Sequence, residues 1–481
     1  MAEIIGRKEE IEELNRLYHS GRAEFVALYG RRRIGKTYLV NQLFKDRMTF
    51  HHTGLSPFDN NGKTSMADQL QAFYFSLISS GLDSSETCPK SWIEAFFLLE
   101  KLLKKLDTGA RQVVFIDELS WMDTPRSGFV TGLESFWNGW ASARDNIMLI
   151  VCGSSTSWMV SNLVNNYGGL YGRLTYEVKL SPFTLKECDD YLKLNGIIMG
   201  QYDVAQAYMI FGGVPYYLGF FLKGMSLAQN VDRIMFAKDA VLAREYDRLF
   251  RSLFVHWEEH QKVVSLLATR HYGFTRDEIS AQCGITKGGG LSDILKSLID
   301  SDFITKYVPI STDRSKEYYK LCDPFCSFYL KFVHGNSTAD NQFMQNSQNK
   351  PSYIAWRGNA FEQVCFNHIK QIKAALGVSG VLSRESALIV SGGEKTRGAQ
   401  IDMVIDRDDN VLNLCEMKFC KDDYTITQSD WFNFQNKIET LGRITKWKKN
   451  IHFTLVTTQG LARNEHFGIV QKMVTLNDLF K

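Results

Sequence analysis

Eight consecutive residues, Gly30-Arg31-Arg32-Arg33-Ile34-Gly35-Lys36-Thr37, place two glycines, a lysine and a hydroxyl at the spacing G-x-x-x-x-G-K-[ST]. The glycines let the backbone wrap a polyphosphate, and the free N–H groups of a following helix point at the anion. Lys36 is expected to reach the terminal phosphates and the Thr37 hydroxyl to hold Mg²⁺. The whole loop, with the next residue Tyr38, is the candidate ATP-binding segment. Downstream, Gln112-Val113-Val114-Phe115-Ile116-Asp117-Glu118 is an apolar strand ending in two carboxylates. Adjacent acids closing a buried strand are costly without a cation nearby. Asp117 is expected to bind Mg²⁺ through water, and Glu118 to orient and deprotonate the attacking water.

A third polar position follows the strand Ile147-Met148-Leu149-Ile150-Val151-Cys152, which ends in Gly153-Ser154-Ser155. A hydroxyl there is placed to sense a γ-phosphate. Ser154 and Ser155 are both candidates, and an ordinary serine-rich strand exit is the equal alternative.

A second chemistry lies near the C-terminus. Two strand-like runs, Ile401-Asp402-Met403-Val404-Ile405-Asp406-Arg407 and Val411-Leu412-Asn413-Leu414-Cys415-Glu416-Met417-Lys418-Phe419, flank the turn Asp408-Asp409-Asn410. Asn410 falls where a three-residue hairpin loop wants a left-handed residue. With Asp409 at the centre, Asp402 lies opposite Glu416, and opposed Cβ atoms stand about 4.5–5.5 Å apart. Lys418 shares their face, together with Val404, Leu412 and Leu414. Ile401, Met403, Ile405, Cys415, Met417 and Phe419 are assigned to the other face, so both sides are expected to be covered. Two carboxylates this close repel unless a proton or cation joins them, and Mg²⁺ suits an oxygen pair. Lys418 would then polarise water or stabilise a pentavalent phosphate. A structural ion-pair cluster is the other reading of Asp402, Glu416 and Lys418.

Secondary-structure periodicity supplies the elements that position these groups. Phe25-Val26-Ala27-Leu28-Tyr29 reads as a buried strand before the glycine loop, and Thr37 to Phe44 as the helix after it. From about His256 the pattern changes to three helices: one at 262–268, one starting at Thr275 with a Glu278 capping box, and one from Leu291 after a turn at 286–290. A hairpin around Asp313-Arg314 joins 303–309 to 317–321. Three helices plus a hairpin outline a winged helix, with Arg314 and Lys316 at the tip available to phosphates. Its third helix offers Lys287 and Lys296 against Asp293 and Asp300, so a protein-docking role stays open beside DNA reading.

Bulk composition sets the frame. The 481 residues suggest about three domains. A hydrophobic content of 44% supports sizeable cores, and a net charge of +3 leaves any basic surface local. The cluster Arg443, Lys446, Lys448 and Lys449 reads either as such a surface or as a solvated run. Nine cysteines with no C-x-x-C pair point to reduced thiols in a cytoplasm. No apolar stretch is long enough to span a membrane, and MAEIIGRKEEIEEL has no signal-peptide core.

In order, the chain runs Ile5-Gly6-Arg7-Lys8-Glu9, YGRRRIGKT, VVFIDE, CGSS, Leu170-Tyr171-Gly172-Arg173, Leu180-Ser181-Pro182-Phe183 and Gly212-Gly213-Val214-Pro215-Tyr216. This set resembles the archaeal-type ATPase family, related to AAA+ origin-recognition ATPases and STAND switch ATPases. The resemblance implies that Ile5 and Gly6 lie near an adenine base. It also implies that Arg173 reaches a neighbouring subunit's γ-phosphate in a homo-oligomer, with a surface salt bridge as the alternative. Gly212 to Pro215 resembles the G-x-P turn of STAND lids, with a plain helix stop as its alternative.

The Asp402, Glu416-x-Lys418 set resembles the PD-(D/E)XK nuclease core. Trp356-Arg357-Gly358-Asn359-Ala360-Phe361-Glu362-Gln363-Val364 resembles its first helix, with Glu362 as the supporting acid and a further metal ligand. Gln400 stands where an acid is common. Gln435 and Lys437 are read as a solvated helix face, with phosphate contact as the alternative. The whole chain thus resembles archaeal-type ATPases carrying a DUF234-type nuclease-like domain. The expected fold class is α/β. An AAA+-like P-loop parallel sheet (1–185) with a helical lid (186–255) precedes a winged helix-turn-helix (256–335) and an α/β restriction-endonuclease-like domain (350–481). The expected function is ATP-regulated DNA processing, with ATP hydrolysis and Mg²⁺-dependent cutting. The alternatives are a non-cutting ATP-driven switch or DNA-binding regulator, and an assembly protein whose winged helix docks a partner.

Overall fold

The computed structural model describes residues 4–56, 64–165, 168–310, 316–335, 340–390 and 398–481. The chain forms two compact units, Met1–Pro182 with Arg248–Trp257, and Phe183–Asp247 with Glu258–Lys481.

The first unit is built on five strands: β1 (Glu24–Tyr29), β2 (Met48–Thr53), β3 (Gln112–Asp117), β4 (Ile147–Gly153) and β5 (Tyr176–Lys179). Every pairing is parallel, in the order β2-β3-β4-β1-β5. β1, β3 and β4 are buried at every residue, as strands covered on both faces must be. Alternation divides their side chains between two cores. Phe25, Ala27, Val114, Ile116, Leu149 and Val151 meet the helices Met66–Ser79, Trp92–Lys105 and Phe129–Gly139. Val26, Leu28, Val113, Phe115, Met148 and Ile150 meet the helices Lys8–Tyr18 and Lys36–Phe44. The sheet therefore opens its C-terminal edge with β4 between β1 and β3. Residues leaving these three strands converge there, where ligands bind in open parallel sheets.

The second unit starts with the helices Leu185–Leu194 and Gln201–Phe211. Gly212 and Gly213 follow with φ of 67° and 66°, and Pro215 opens the helix Pro215–Leu218. Further on come the helices Trp257–Leu267 (its first residue in the other unit), Arg276–Cys283 and Gly289–Asp300. The Thr275–Glu278 capping box is present, and the third helix begins at Gly289, two residues earlier than expected. With them stands a three-stranded antiparallel sheet, β6 (Phe274–Thr275), β7 (Ile304–Tyr307) and β8 (Tyr318–Leu321), ordered β6-β8-β7. The expected hairpin tip at Asp313 and Arg314 lies outside the described residues.

A mixed sheet completes this unit: β9 (Ser383–Val390), β10 (Ala399–Arg407), β11 (Val411–Lys418), β12 (Asn450–Thr457) and β13 (Lys472–Thr475), ordered β13-β12-β11-β10-β9. β9, β10 and β11 are antiparallel neighbours, whereas β11, β12 and β13 run parallel. The helix Gln428–Thr445 makes the crossover that a parallel β11–β12 pair requires. The helix Pro351–Asn367 packs against β11. Asn410 has φ 69°, and Met403 pairs with Cys415 and Val404 with Leu414, the expected register. One face assignment is corrected. A register shift between Ile401 and Val404 along β9 puts Ile401 in the same core as Val404, Leu412, Leu414 and Phe434. A bulge reverses the side-chain alternation that a regular strand would keep.

Candidate functional site

Gly30, Arg33 and Gly35 carry φ of 135°, 73° and 91°, which curls the loop between β1 and the helix Lys36–Phe44. A side chain at Gly30 would also stand 2.5 Å from the Leu180 carbonyl oxygen, so close backbone approach and the positive φ both require glycine. Lys36 is buried, and its Nζ donates to the carbonyls of Gly30 at 2.9 Å and Arg31 at 3.0 Å. The ammonium is thereby held over the loop's concave side. Arg32 lies over the Trp121 ring at 5.6 Å, and Tyr38 is half exposed.

The Thr37 hydroxyl donates to Asp117 Oδ2 at 2.7 Å, joining the helix start to the end of β3. These two oxygens are the residues that fit Mg²⁺ beside a bound triphosphate. The Glu118 N–H donates to Asp117 Oδ1 at 2.9 Å. Glu118 itself has φ 48°, a left-handed conformation that a non-glycine residue adopts under constraint. Its Oε2 accepts the Ser154 hydroxyl at 2.7 Å and the Ser154 N–H at 3.1 Å. Strand order explains the meeting: β4 lies between the loop strand and the acid strand, so Ser154 emerges between Lys36 and Glu118. Ser155 instead precedes the short helix Thr156–Met159. Burial and the nearby Asp117 charge push the Cys152 thiol well up, so it stays neutral behind the site.

Arg7 was not singled out by chemistry in the sequence. Its guanidinium donates to the Ser181 carbonyl at 2.6 Å and the Ile34 carbonyl at 3.4 Å, tying the N-terminal segment to the loop and to the chain leaving β5. An arginine in a left-handed turn (φ 58°) gives no sequence signal of its own. Arg173 is exposed, and its side chain makes no hydrogen bond or ion pair among the described residues, so the surface salt bridge is not found.

In the second unit the β10–β11 register runs from Met403–Cys415 to Asp406–Leu412, Asp402 lies within reach of the Glu416 charge, and the Met417 N–H donates to Asp402 Oδ2 at 3.2 Å. Burial, then the charges of Glu416 and Glu362, push the Asp402 carboxyl well above its usual range. Glu416 is 2% exposed, with both oxygens engaged: Lys418 Nζ at 2.8 Å on Oε1 and Lys437 Nζ at 2.6 Å on Oε2. Lys437 is therefore not on a solvated helix face, and its expected position is corrected. At its place in Gln428–Thr445 it points inward, where Glu416 offsets its charge. Glu362 is held by His271 Nε2 at 3.1 Å and Lys320 Nζ at 3.9 Å. Burial pushes its carboxyl up, but the His271 hydrogen bond and the Lys320 charge outweigh that and hold it below its usual range. Gln400 places its amide 3.0 Å from the same His271 nitrogen. Among the described residues, no three His, Cys, Asp or Glu side chains form a group able to hold a metal, so Glu362, Asp402 and Glu416 are not a preformed metal centre. All nine cysteines are free, and no described helix is long and apolar enough to cross a membrane.

A parallel sheet whose C-terminal edge presents a glycine loop, a lysine, a threonine–aspartate pair and a glutamate defines a P-loop nucleotide-binding site. Residues 4–221 match a family described as an ATPase domain predominantly from Archaea. An uncharacterized protein of Methanocaldococcus jannaschii is 25% identical over 364 residues, covering 75% of this chain and 76% of that protein. An uncharacterized ATP-binding protein of the same organism is 42% identical over 44 residues, 9% of this chain and 75% of that one. Among solved structures, the Walker-type ATPase of Pyrococcus abyssi is 18% identical with a TM-score of 0.47, covering 68% of this chain and 96% of that chain. The ORC2 protein of Aeropyrum pernix is 15% identical with a TM-score of 0.44, covering 72% and 95%.

Proposed function

We propose that this chain is an ATP-driven molecular switch in which Glu118 activates water and Ser154 controls that glutamate. The observation that carries the reading is the shared network: Thr37 on Asp117, and Ser154 on Glu118, at one sheet edge. Bound Mg²⁺·ATP supplies the phosphoryl group. Lys36 is the group to turn from the loop carbonyls to the phosphates, while Thr37 and Asp117 hold the ion. Arg7 keeps the loop in register with the chain leaving β5. Arg173, exposed and unpaired among the described residues, is available to a neighbouring copy in a homo-oligomer. The helices after Phe183 act as a lid, the helices and hairpin at 256–335 as a winged helix, and 350–481 as a restriction-endonuclease-like domain. A cytoplasmic protein that contacts DNA fits this organisation. The experiment is ATP turnover and nucleotide binding by the full chain beside Lys36→Ala and Glu118→Gln. Turnover lost with binding kept in Glu118→Gln supports the switch, and undiminished turnover refutes it.

A second reading, Mg²⁺-dependent DNA cutting, is favoured by one observation: Asp402 lies within reach of the Glu416 charge, and Lys418 sits on Glu416. Its test is cleavage of plasmid and linear DNA in Mg²⁺ or Mn²⁺, with Glu416→Ala as control. The double lysine clamp on Glu416 supports the non-cutting reading over this one.

A further inference from the structure

Glu118 is left-handed, with φ and ψ both 48°, and a set of contacts that bypass its carboxylate holds it there. Its carbonyl accepts the Trp121 N–H at 2.9 Å, which opens the short helix Leu119–Met122. The chain leaving β2 closes over the same carbonyl. A Cβ at Gly54 would stand 2.9 Å from it, and the Gly54 N–H donates to the Asp117 carbonyl at 3.0 Å. Gln69, fully buried on the helix Met66–Ser79, ties the two segments together. Its Oε1 accepts the Leu55 N–H at 3.0 Å, and its Nε2 donates to the carbonyls of Leu55 at 2.8 Å and Trp121 at 2.9 Å. Just past the short helix, Asp123 accepts the indole N–H of Trp158 at 2.9 Å, from the helix Thr156–Met159 that follows Ser154. A further contact comes from the phosphate loop, whose Arg32 guanidinium lies 5.6 Å from the Trp121 ring centre. Trp121 thus meets the loop with its ring and the Glu118 turn with its backbone.

We propose that Trp121 is a positioning residue for water activation: its indole links Arg32 in the phosphate loop to the backbone that aims Glu118. The inference rests on the reading of Glu118 as the water-activating base. A non-glycine residue stays left-handed only where its surroundings over-determine it. Here Gln69 fixes the turn from one side, and Arg32 holds it from the other through a cation–π contact. A polyphosphate in the loop attracts the same guanidinium, so occupancy of the loop reaches the Glu118 turn by a route separate from Ser154. Without the ring, Glu118 relaxes toward the right-handed region that non-glycine residues prefer, and its carboxylate is displaced. A displacement of about 1 Å in a reacting group is enough to cost about 10²-fold in rate.

The test is ATP turnover and nucleotide affinity of the full chain beside Trp121→Phe, Trp121→Leu, Glu118→Gln and Trp121→Leu/Glu118→Gln. Trp121→Leu keeps apolar bulk but has no ring face. It is expected to lose about tenfold or more in kcat, with nucleotide affinity within about twofold of wild type. Trp121→Phe keeps a ring beneath Arg32 and is expected to restore most of that loss. Because Trp121 acts through Glu118, Trp121→Leu should cost nothing further in the Glu118→Gln background, whereas a residue that only supports the fold would subtract from both. Undiminished turnover in Trp121→Leu, or equal losses in the two backgrounds, overturns the positioning role and leaves Glu118 as the base. Undiminished turnover in Glu118→Gln overturns both. A second readout needs no turnover: the difference in indole emission between wild type and Trp121→Phe is expected to change when a non-hydrolysable ATP analogue binds. An unchanged difference overturns the link to the loop.

Discussion

Ser154 gives both its hydroxyl and its backbone N–H to one oxygen of Glu118. The carboxylate is thereby held against β4, on a residue whose own backbone is left-handed. In the proposed switch, a γ-phosphate that draws the Ser154 hydroxyl away would loosen this hold and free Glu118 for water. Ser154→Ala is expected to alter kcat by about tenfold or more with little change in nucleotide affinity, since it touches the base rather than the binding loop. Stopped-time hydrolysis assays beside equilibrium binding separate the two quantities. A change in affinity alone would place Ser154 in binding instead.

Gly30 tests the loop's geometry. Gly30→Ala adds a Cβ 2.5 Å from the Leu180 oxygen at φ 135°. The expected cost is about 1–3 kcal/mol, read as a lowered Tm, together with weakened nucleotide binding. Gly35→Ala meets no neighbour, so its φ of 91° alone should cost less stability.

The Glu416 clamp makes a separate prediction. Lys437→Met leaves Glu416 buried with one cation rather than two, and breaking a buried pair typically costs about 3–5 kcal/mol. Lys437→Met/Glu416→Gln should recover much of that loss, because no buried charge is left uncompensated. Chemical denaturation of the two variants decides the matter, and equal loss in both would remove the clamp from the account.

His368 predicts a dependence on pH. Its Nδ1–H donates to the Val364 carbonyl at 2.8 Å, and its Nε2 accepts the Leu185 N–H at 2.9 Å, so the folded ring is neutral. Burial pulls its pKa from 6.5 to about 4. A depressed folded value means that the unfolded chain takes up the proton first. The stabilisation is therefore complete above about pH 6.5, falls as pH drops, and is gone below about pH 4, amounting to about 3 kcal/mol. His368→Gln should flatten this limb of the stability–pH curve, and an unchanged curve would contradict the assignment.

Particular residues show what the chain made legible. GRRRIGKT and VVFIDE announced themselves because phosphate binding needs fixed residue types at fixed spacing. The β10–β11 register was readable because Asn410 fixes the turn and the turn fixes every pair after it. The bulge at 401–404 was not, since it depends on pairing with β9, which periodicity along β10 does not record. Lys437 misled because a lone lysine on a helix is usually solvated, and only Glu416, from another element, turns it inward. His271 and Lys320 were invisible for the same reason: each gains its role from a carboxylate that the fold brings from another segment. The order β2-β3-β4-β1-β5 is set by how crossover helices pack, and it is this order that delivers Ser154 to Glu118.

The most direct measurement is steady-state ATP hydrolysis by the full chain and by Glu118→Gln, with nucleotide affinity measured on both. Glu118→Gln is expected to lose about 10²–10⁴-fold in kcat while holding ATP as tightly as wild type. Full turnover in Glu118→Gln would contradict the assignment of Glu118 as the water-activating base, and with it the switch.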